Sequence, residues 1–409
     1  MDCYQPGRVC VFPNPEGEPG SLTERLSTGD VEADYDGVET MFTDVLDANL
    51  GDLEGHEAFP YPEFRDRSAA LPMRDFSVLR VREGREHEAS EQFARIDGVG
   101  FASPDYLLAT TGGLTDRLQD LKQLIALVPH PAAPFCGRGV RVAIMDSGVD
   151  PAVLAQLNGH PGWSDPLEVS LDAFASASSI PRKGDDSGHG TAVAAIVNAT
   201  APSAALVSIR VFSHGSGTLS SLVNGLLLLA SVPDVAIANL SLSGTPGNCG
   251  ECGRTSKTGV EIALATLFTA AFRGDPPLVL AAAGNLEGTR PLAFPASCPT
   301  VIAIGSYEAA TNGTTYTGID PNHFYLANDF STTQTRFKGT SFACALTTAI
   351  AARYACALQP GAACARAAAK GPRGSSRSYL ENRLSKTADR SYAAYDSVHH
   401  GQGRASFRG

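Results

Sequence analysis

The feature that most constrains the fold is Val142-Ala143-Ile144-Met145, a continuous apolar run that halts at Asp146-Ser147-Gly148. A short run without polar alternation suits a strand buried on both faces, and one ending on a carboxylate delivers a polar group at its carboxyl end. Comparable runs recur at 206–212, 235–240, 278–282 and 301–305. Helical spacing fills the intervals at 190–199, 219–231 and 258–272, and again from Ser341 to about Ala357. Strands alternating with helices predict an α/β domain whose sheet is mostly parallel, doubly wound and covered on both faces. With 409 residues, 43% of them hydrophobic, the chain has material for one large domain and a smaller one.

Residues 1–110 are more acidic and poorer in long apolar helices. Strands are expected at 8–12, 76–81 and 99–102 and helices at 37–50 and 86–96, with the Pro-rich Phe59-Pro60-Tyr61-Pro62 as a connection. This is nearly a split βαβ arrangement, a small α+β region of ferredoxin-like type. Residues 111–138 hold a connecting helix at 114–127 and a Pro/Gly-rich joint, and the large domain occupies 139–409.

Chemistry collects at the ends of the predicted elements. Lys338-Gly339-Thr340-Ser341-Phe342-Ala343 joins an irregular polar segment to an Ala-rich helix. A serine opening a helix sits among unpaired N–H groups and the positive end of the dipole, which stabilise an alkoxide or an oxyanion. The same pattern also describes an ordinary N-cap. Ser187-Gly188-His189-Gly190-Thr191 places His189 at the start of another helix, where a packed or capping histidine is the plainer reading. Together, however, Asp146, His189 and Ser341 form a candidate triad: Ser341 attacks a carbonyl, His189 takes and returns the proton, and Asp146 fixes the imidazole tautomer. Asn285, just after the strand at 278–282, offers a side-chain amide to an oxyanion hole; its plainer reading is a turn residue.

In this order, Asp-Ser-Gly-Val at Asp146, His-Gly-Thr at His189, Ala-Ala-Gly-Asn ending at Asn285 and Gly-Thr-Ser-Phe-Ala around Ser341 resemble the motifs of the subtilases, the subtilisin-like serine peptidases. The resemblance covers about residue 113 to the end. It implies a subtilisin-type fold and a serine endopeptidase that needs no cofactor and acts on proteins or peptides. It further implies that Ser241, Leu242 and Ser243 pair with the substrate backbone on one side and Gly215, Ser216 and Gly217 on the other, with Gly284 beside them. Thr387-Ala388-Asp389 and Gly401-Gln402-Gly403-Arg404 resemble the family's last helix and closing turn. Residues 97–106, ending Ser103-Pro104-Asp105-Tyr106, resemble the end of a subtilase propeptide, which would make the N-terminal region an intramolecular inhibitor; an interaction domain is the other reading. Tyr106-Leu107-Leu108-Ala109-Thr110-Thr111 is β-prone and ends at Gly112-Gly113, so self-cleavage is expected between Leu107 and Leu114.

The chain departs from the pattern in three places: Ala192 follows His-Gly-Thr where the family repeats His, Ala345 replaces a proline, and Ser243 stands where glycine is common. Residues 196–202 are too few to form the loop that holds a tight calcium in many relatives, so no metal is expected there. Cys249-Gly250-Glu251-Cys252 lacks a second ligand pair and is read as a metal-free surface loop, and Cys344 as buried packing. Pocket walls drawn from 241–244, 283–285 and Leu292-Ala293-Phe294 carry no charge, so an apolar P1 side chain is expected. Two rival functions use the same residues: a silent peptide-binding pseudoprotease, and a maturation enzyme passing its acyl group to an amine. An α/β-hydrolase esterase fits less well, since Gly339-Thr340-Ser341-Phe342-Ala343 lacks the second glycine of that family's nucleophile motif.

A formal net charge of −11 argues against nucleic acid or an anionic membrane as partner. No apolar stretch reaches spanning length, and the N-terminus lacks a signal-peptide pattern. Nine cysteines leave at least one thiol unpaired within a monomer, which points to a reducing, cytoplasmic setting; a start misassigned downstream of a leader would instead make the protein secreted.

Overall fold

A computed structural model of the chain describes residues 4–16, 21–28, 35–54, 59–110, 118–128, 136–157, 166–176, 181–244, 254–272, 276–285, 292–308, 313–316, 325–328, 339–356, 376–388 and 390. The first part runs β1 (Tyr4–Pro13), α1 (Ser21–Thr28), β2 (Gly37–Met41), α2 (Phe42–Leu53), α3 (Tyr61–Ala69), β3 (Ser77–Arg80), α4 (Glu86–Phe93) and β4 (Val99–Thr110). Its strands form an antiparallel sheet in the order β4-β1-β3-β2. That order with crossover helices is the ferredoxin-like split βαβ, here enlarged by α2 and α3 between β2 and β3. Side chains of β1 alternate between two environments, as the pleat requires. Val9 and Val11 join Leu22, Leu26 and Phe93 of α1 and α4, whereas Cys10 and Phe12 enter a cluster continuous with the core of the large domain.

Two expectations need correction. Residues 37–50 are not all helix: Gly37–Met41 is a strand paired with β3, and the helix begins only at Phe42. Val38 and Thr40 are β-branched and suit the pleated position, so pairing with β3 overrides the helical expectation there. The Pro-rich stretch is more than a connection, because Pro60 is the N-cap of α3 and Pro62 lies in its first turn. A missing N–H costs nothing there.

The large domain continues with α5 (Leu118–Leu127), β5 (Arg141–Asp146), α6 (Pro151–Leu157), β6 (Leu167–Asp172), α7 (His189–Thr200), β7 (Ala205–Arg210), β8 (Ser216–Thr218), α8 (Leu219–Ser231), β9 (Val235–Leu240) and β10 (Leu242–Gly244). Then come α9 (Arg254–Ala271), β11 (Leu278–Ala282), β12 (Ile302–Glu308), β13 (Gly313–Tyr316), β14 (Tyr325–Asn328), α10 (Thr340–Cys356) and α11 (Ser376–Thr387). The main sheet has the order β13-β12-β11-β9-β5-β7-β6, with β14 also on β12, and is parallel apart from the β12–β13 pair. This is the expected doubly wound α/β architecture of subtilisin type.

Alternate residues of β5 serve opposite layers. Val142 and Ile144 pack with α5, α6, α7, α10 and α11, while Ala143 and Met145 pack with α8 and α9. The chain moves to one side of β5 for β6 and β7 and to the other for β9, β11 and β12. Asp146 therefore ends the strand at which the winding reverses, where crevices open in such sheets. Lys338, Ala357, Asp389, residues 401–404 and the Cys249/Cys252 pair lie outside the described residues, as does the start of the connecting helix before Leu118. Among the described residues no helix is long and apolar enough to cross a membrane.

The helix α8 meets the sheet at Gly225, where an added Cβ would lie 2.4 Å from Val211 Cγ1 and 2.9 Å from Met145 Cε. Gly225→Ala is thus expected to lower stability by roughly 1–3 kcal/mol through overpacking. Urea unfolding checks it; an unchanged midpoint would mean that α8 shifts outward without cost.

Candidate active site

Asp146 is wholly buried, and a carboxylate removed from water needs partners. His189, first residue of α7, supplies Nδ1 at 2.8 Å from Oδ1 and 3.0 Å from Oδ2. The Ser147 N–H donates to Oδ1 at 2.8 Å. The start of α7 can come this close because Gly190 has no side chain: a Cβ there would stand 2.1 Å from Gly148 O.

Asp185, four residues before the histidine, braces the same helix end. It accepts from Ser187 N, Gly188 N, Thr191 N and Thr191 Oγ1 at 3.0, 2.9, 2.8 and 2.7 Å, and from Ser147 Oγ at 2.7 Å. A carboxylate at a helix N-terminus is also favoured by the dipole. Burial pulls the imidazole of His189 downward, but the charge and hydrogen bond of Asp146, with the charge of Asp185, outweigh it and leave the ring more basic than an ordinary histidine. Nε2 of His189 is buried and has no hydrogen-bond partner among the described residues.

Ser341 is the second residue of α10 and is buried. Its hydroxyl donates to Ser241 O at 3.2 Å, and its carbonyl accepts from Ser241 Oγ at 2.9 Å. Asn239 Nδ2 donates to Ser241 Oγ at 2.8 Å, and Asn239 Oδ1 accepts from Thr348 Oγ1 at 3.0 Å. The end of β9 is thereby tied to α10 at two heights. Asn285 follows β11, and its Oδ1 accepts from Thr340 N at 2.9 Å and Thr340 Oγ1 at 3.1 Å. The amide oxygen so caps the first turn of α10, which turns Nδ2 to the other side. Cys344, one turn further along, is buried packing, and burial pushes its thiol up.

Of the residues expected to line the cleft, Gly215 lies in the turn before β8, Ser216 and Gly217 lie in β8, Ser241 precedes β10, Leu242 and Ser243 lie in β10, and Gly284 follows β11. The space between β8 and β10 is filled by the chain itself. The last residues of β4 pair antiparallel with β8 (Leu107 with Thr218, Leu108 with Gly217, Ala109 with Ser216). On the other side Thr110 pairs with Leu242, Ala109 with Ser243 and Leu108 with Gly244. Leu108 points at Gly244, where a Cβ would come within 2.2 Å of its Cδ2. The expected pocket walls also meet: Gly244 N donates to Phe294 O at 2.8 Å and Ala293 N to Ala283 O at 3.0 Å. Asp185, Ser147 and Thr340 were not singled out from the sequence. An acidic residue just before a helix start is the signal that points to Asp185; Thr340 adjoins the serine and reads only as part of its cap.

A model of the subtilase family matches residues 137–403. Thermitase of Thermoactinomyces vulgaris is 30% identical over 191 residues, which are 44% of this chain and 59% of that protein. Subtilisin NAT of Bacillus subtilis subsp. natto is 29% identical over 224 residues, 50% of this chain and 51% of the relative. The chain thus spans between about half and three fifths of the length of these relatives. The crystal structure of a lanthipeptide protease aligns with a TM-score of 0.51 at 17% identity, covering 65% of this chain and 85% of that one, which is a likeness of fold. With the family model matched over well over half of its length, the chain belongs to the subtilase family.

Proposed function

We propose that the protein is a serine endopeptidase in which Asp146, His189 and Ser341 are the triad and residues 4–110 act as an intramolecular inhibitor. The observation that carries this reading is the peptide in the cleft: residues 107–110 are held in extended form by ladders on both edges. β10 runs away from Ser241 and β4 runs antiparallel to it, so the bound segment advances towards Ser341 as its numbering rises. A substrate would be bound by the same main-chain ladders.

For reaction the Ser341 hydroxyl turns from Ser241 O to Nε2 of His189. The imidazole accepts the proton as Oγ bonds to the peptide carbon, and Asp146 stabilises the imidazolium. The oxyanion receives hydrogen bonds from Asn285 Nδ2 and the Ser341 N–H, held in place before the charge appears. His189 then protonates the leaving amine, and a water activated by the same base releases the acid. Ser341→Ala and His189→Ala are each expected to abolish cleavage of a peptide library, with a fall in turnover on the order of 10⁶, the size known for subtilisin itself. Asn285→Ala should lose about 10²- to 10³-fold in kcat, again the size known for the corresponding subtilisin amide. Retained turnover in the first two would sink the triad, and an unchanged rate in the third would mean that Nδ2 serves elsewhere. Product masses distinguish hydrolysis from transfer to an amine.

His189 must be neutral to act, and the Asp146 carboxylate holds its pKa above that of an ordinary histidine, so kcat/KM should fall as pH drops through that raised value. Asp185→Asn removes one of the raising charges and several charge-assisted hydrogen bonds. The acid limb should move to lower pH while the midpoint of urea unfolding falls, since such bonds are worth roughly 1.5–3 kcal/mol each to stability. An acid limb that does not move would confine Asp185 to a structural role.

Self-cleavage is the nearest test of the inhibitor. Residues 107–110 form the approach side of the ladder, so the bond cut should lie between Thr110 and Leu114, in a stretch whose residues after Thr110 are outside those described. Wild type should yield two fragments that end there, by intact mass, while Ser341→Ala stays whole. A wild type that is intact and fully active would remove the inhibitor from this reading.

A further inference from the structure

Every residue of α8 is buried. Leucines at four successive positions, 226 to 229, span a complete turn, so that turn has no polar side, and Ser220, Ser221, Asn224 and Ser231 elsewhere on the helix are buried with it. One flank lies on the main sheet at Gly225. The other is covered by α2 and α3, the two helices inserted between β2 and β3. Phe42, Val45, Leu46 and Phe64 from those helices belong to the same continuous cluster as Leu226 and Leu229. A turn that is apolar all round is stable in water only while it is covered all round.

Polar contacts fix the cover in register. Asn49 of α2 donates from Nδ2 to Asp172 O and accepts at Oδ1 from Asp172 N, both at 2.9 Å, and so closes the edge of β6 as a further strand would. Asp105, wholly buried in β4, accepts from Ser220 N and Ser220 Oγ at 2.8 Å in the first turn of α8. Lys183 lies 3.0 Å from Asp52.

We infer that residues 4–110 are a permanent subunit of the enzyme, which stays on α8 after the chain is cut. Cutting frees the end of β4, and the cleft opens when residues 107–110 leave β8 and β10 while α2 and α3 remain seated. The consequence for access rests on the peptidase reading above; the retention does not. A strand attached to a retained domain competes with substrate at an effective concentration that dilution cannot lower.

The experiment uses full-length Ser341→Ala with a recognition site for an added, site-specific protease inserted after Gly112. The cut protein is diluted to nanomolar concentration, passed through gel filtration and melted. The two pieces should co-elute at one to one and melt in a single transition. An N-terminal piece that elutes apart, leaving a monomeric large piece that is folded and binds no hydrophobic dye, would overturn the inference. In a second arm, the specific activity of self-processed wild type should stay constant over about a hundredfold dilution, and a rise on dilution would count equally against it. The first arm needs no catalysis, so a failed peptidase reading and a failed retention give different results.

Discussion

The site depends on one buried carboxylate. Asp146 has no access to water, and His189 and the Ser147 N–H hold its oxygens. Each partner is in turn held by something else. Ser147 also donates to Asp185, Asp185 fixes the first turn of α7, and that turn presents His189. Remove the carboxylate and the chain of donors loses its common acceptor; remove the glycine at 190 and α7 cannot approach it.

Much of this architecture is written locally. The strand at 141–146, the helix at 219–231 and the strand at 235–240 each combine apolar runs with clear stops, and each forms where the pattern puts it. Asp146, His189, Asn285 and Ser341 lie at element ends for the same reason, since polar residues interrupt apolar runs there. β8 and β10 are three residues long and owe their form to pairing with β4, residues more than a hundred positions earlier, a pairing that the family resemblance implies and no local pattern marks. What stayed hidden is also non-local. Residues 37–41 read as the start of a helix and form a strand, because their partner β3 lies far along the chain. No spacing rule links Asn49 to Asp172 or Thr340 to Asn285, because those bonds arise only once two folded surfaces meet.

Asn285 illustrates how the site economises on parts. Its amide oxygen caps the helix that carries Ser341, so the group proposed to receive the oxyanion and the helix that offers the hydroxyl move as one body. Ser241 adds a second tie between that helix and the strand beside the cleft. Three elements from distant parts of the chain thereby share one frame while residues 107–110 occupy the cleft.

The cover on α8 has a consequence for the order in which the protein is made. A ribosome releases residues 4–110 before the leucines at 226–229 emerge, and domains synthesised first tend to fold first. The apolar faces of α2 and α3 are therefore made before the wholly buried, leucine-rich α8 appears. Moving the same sequence to the other end of the gene would leave every native contact possible, yet the nascent helix would wait uncovered for the length of a whole domain.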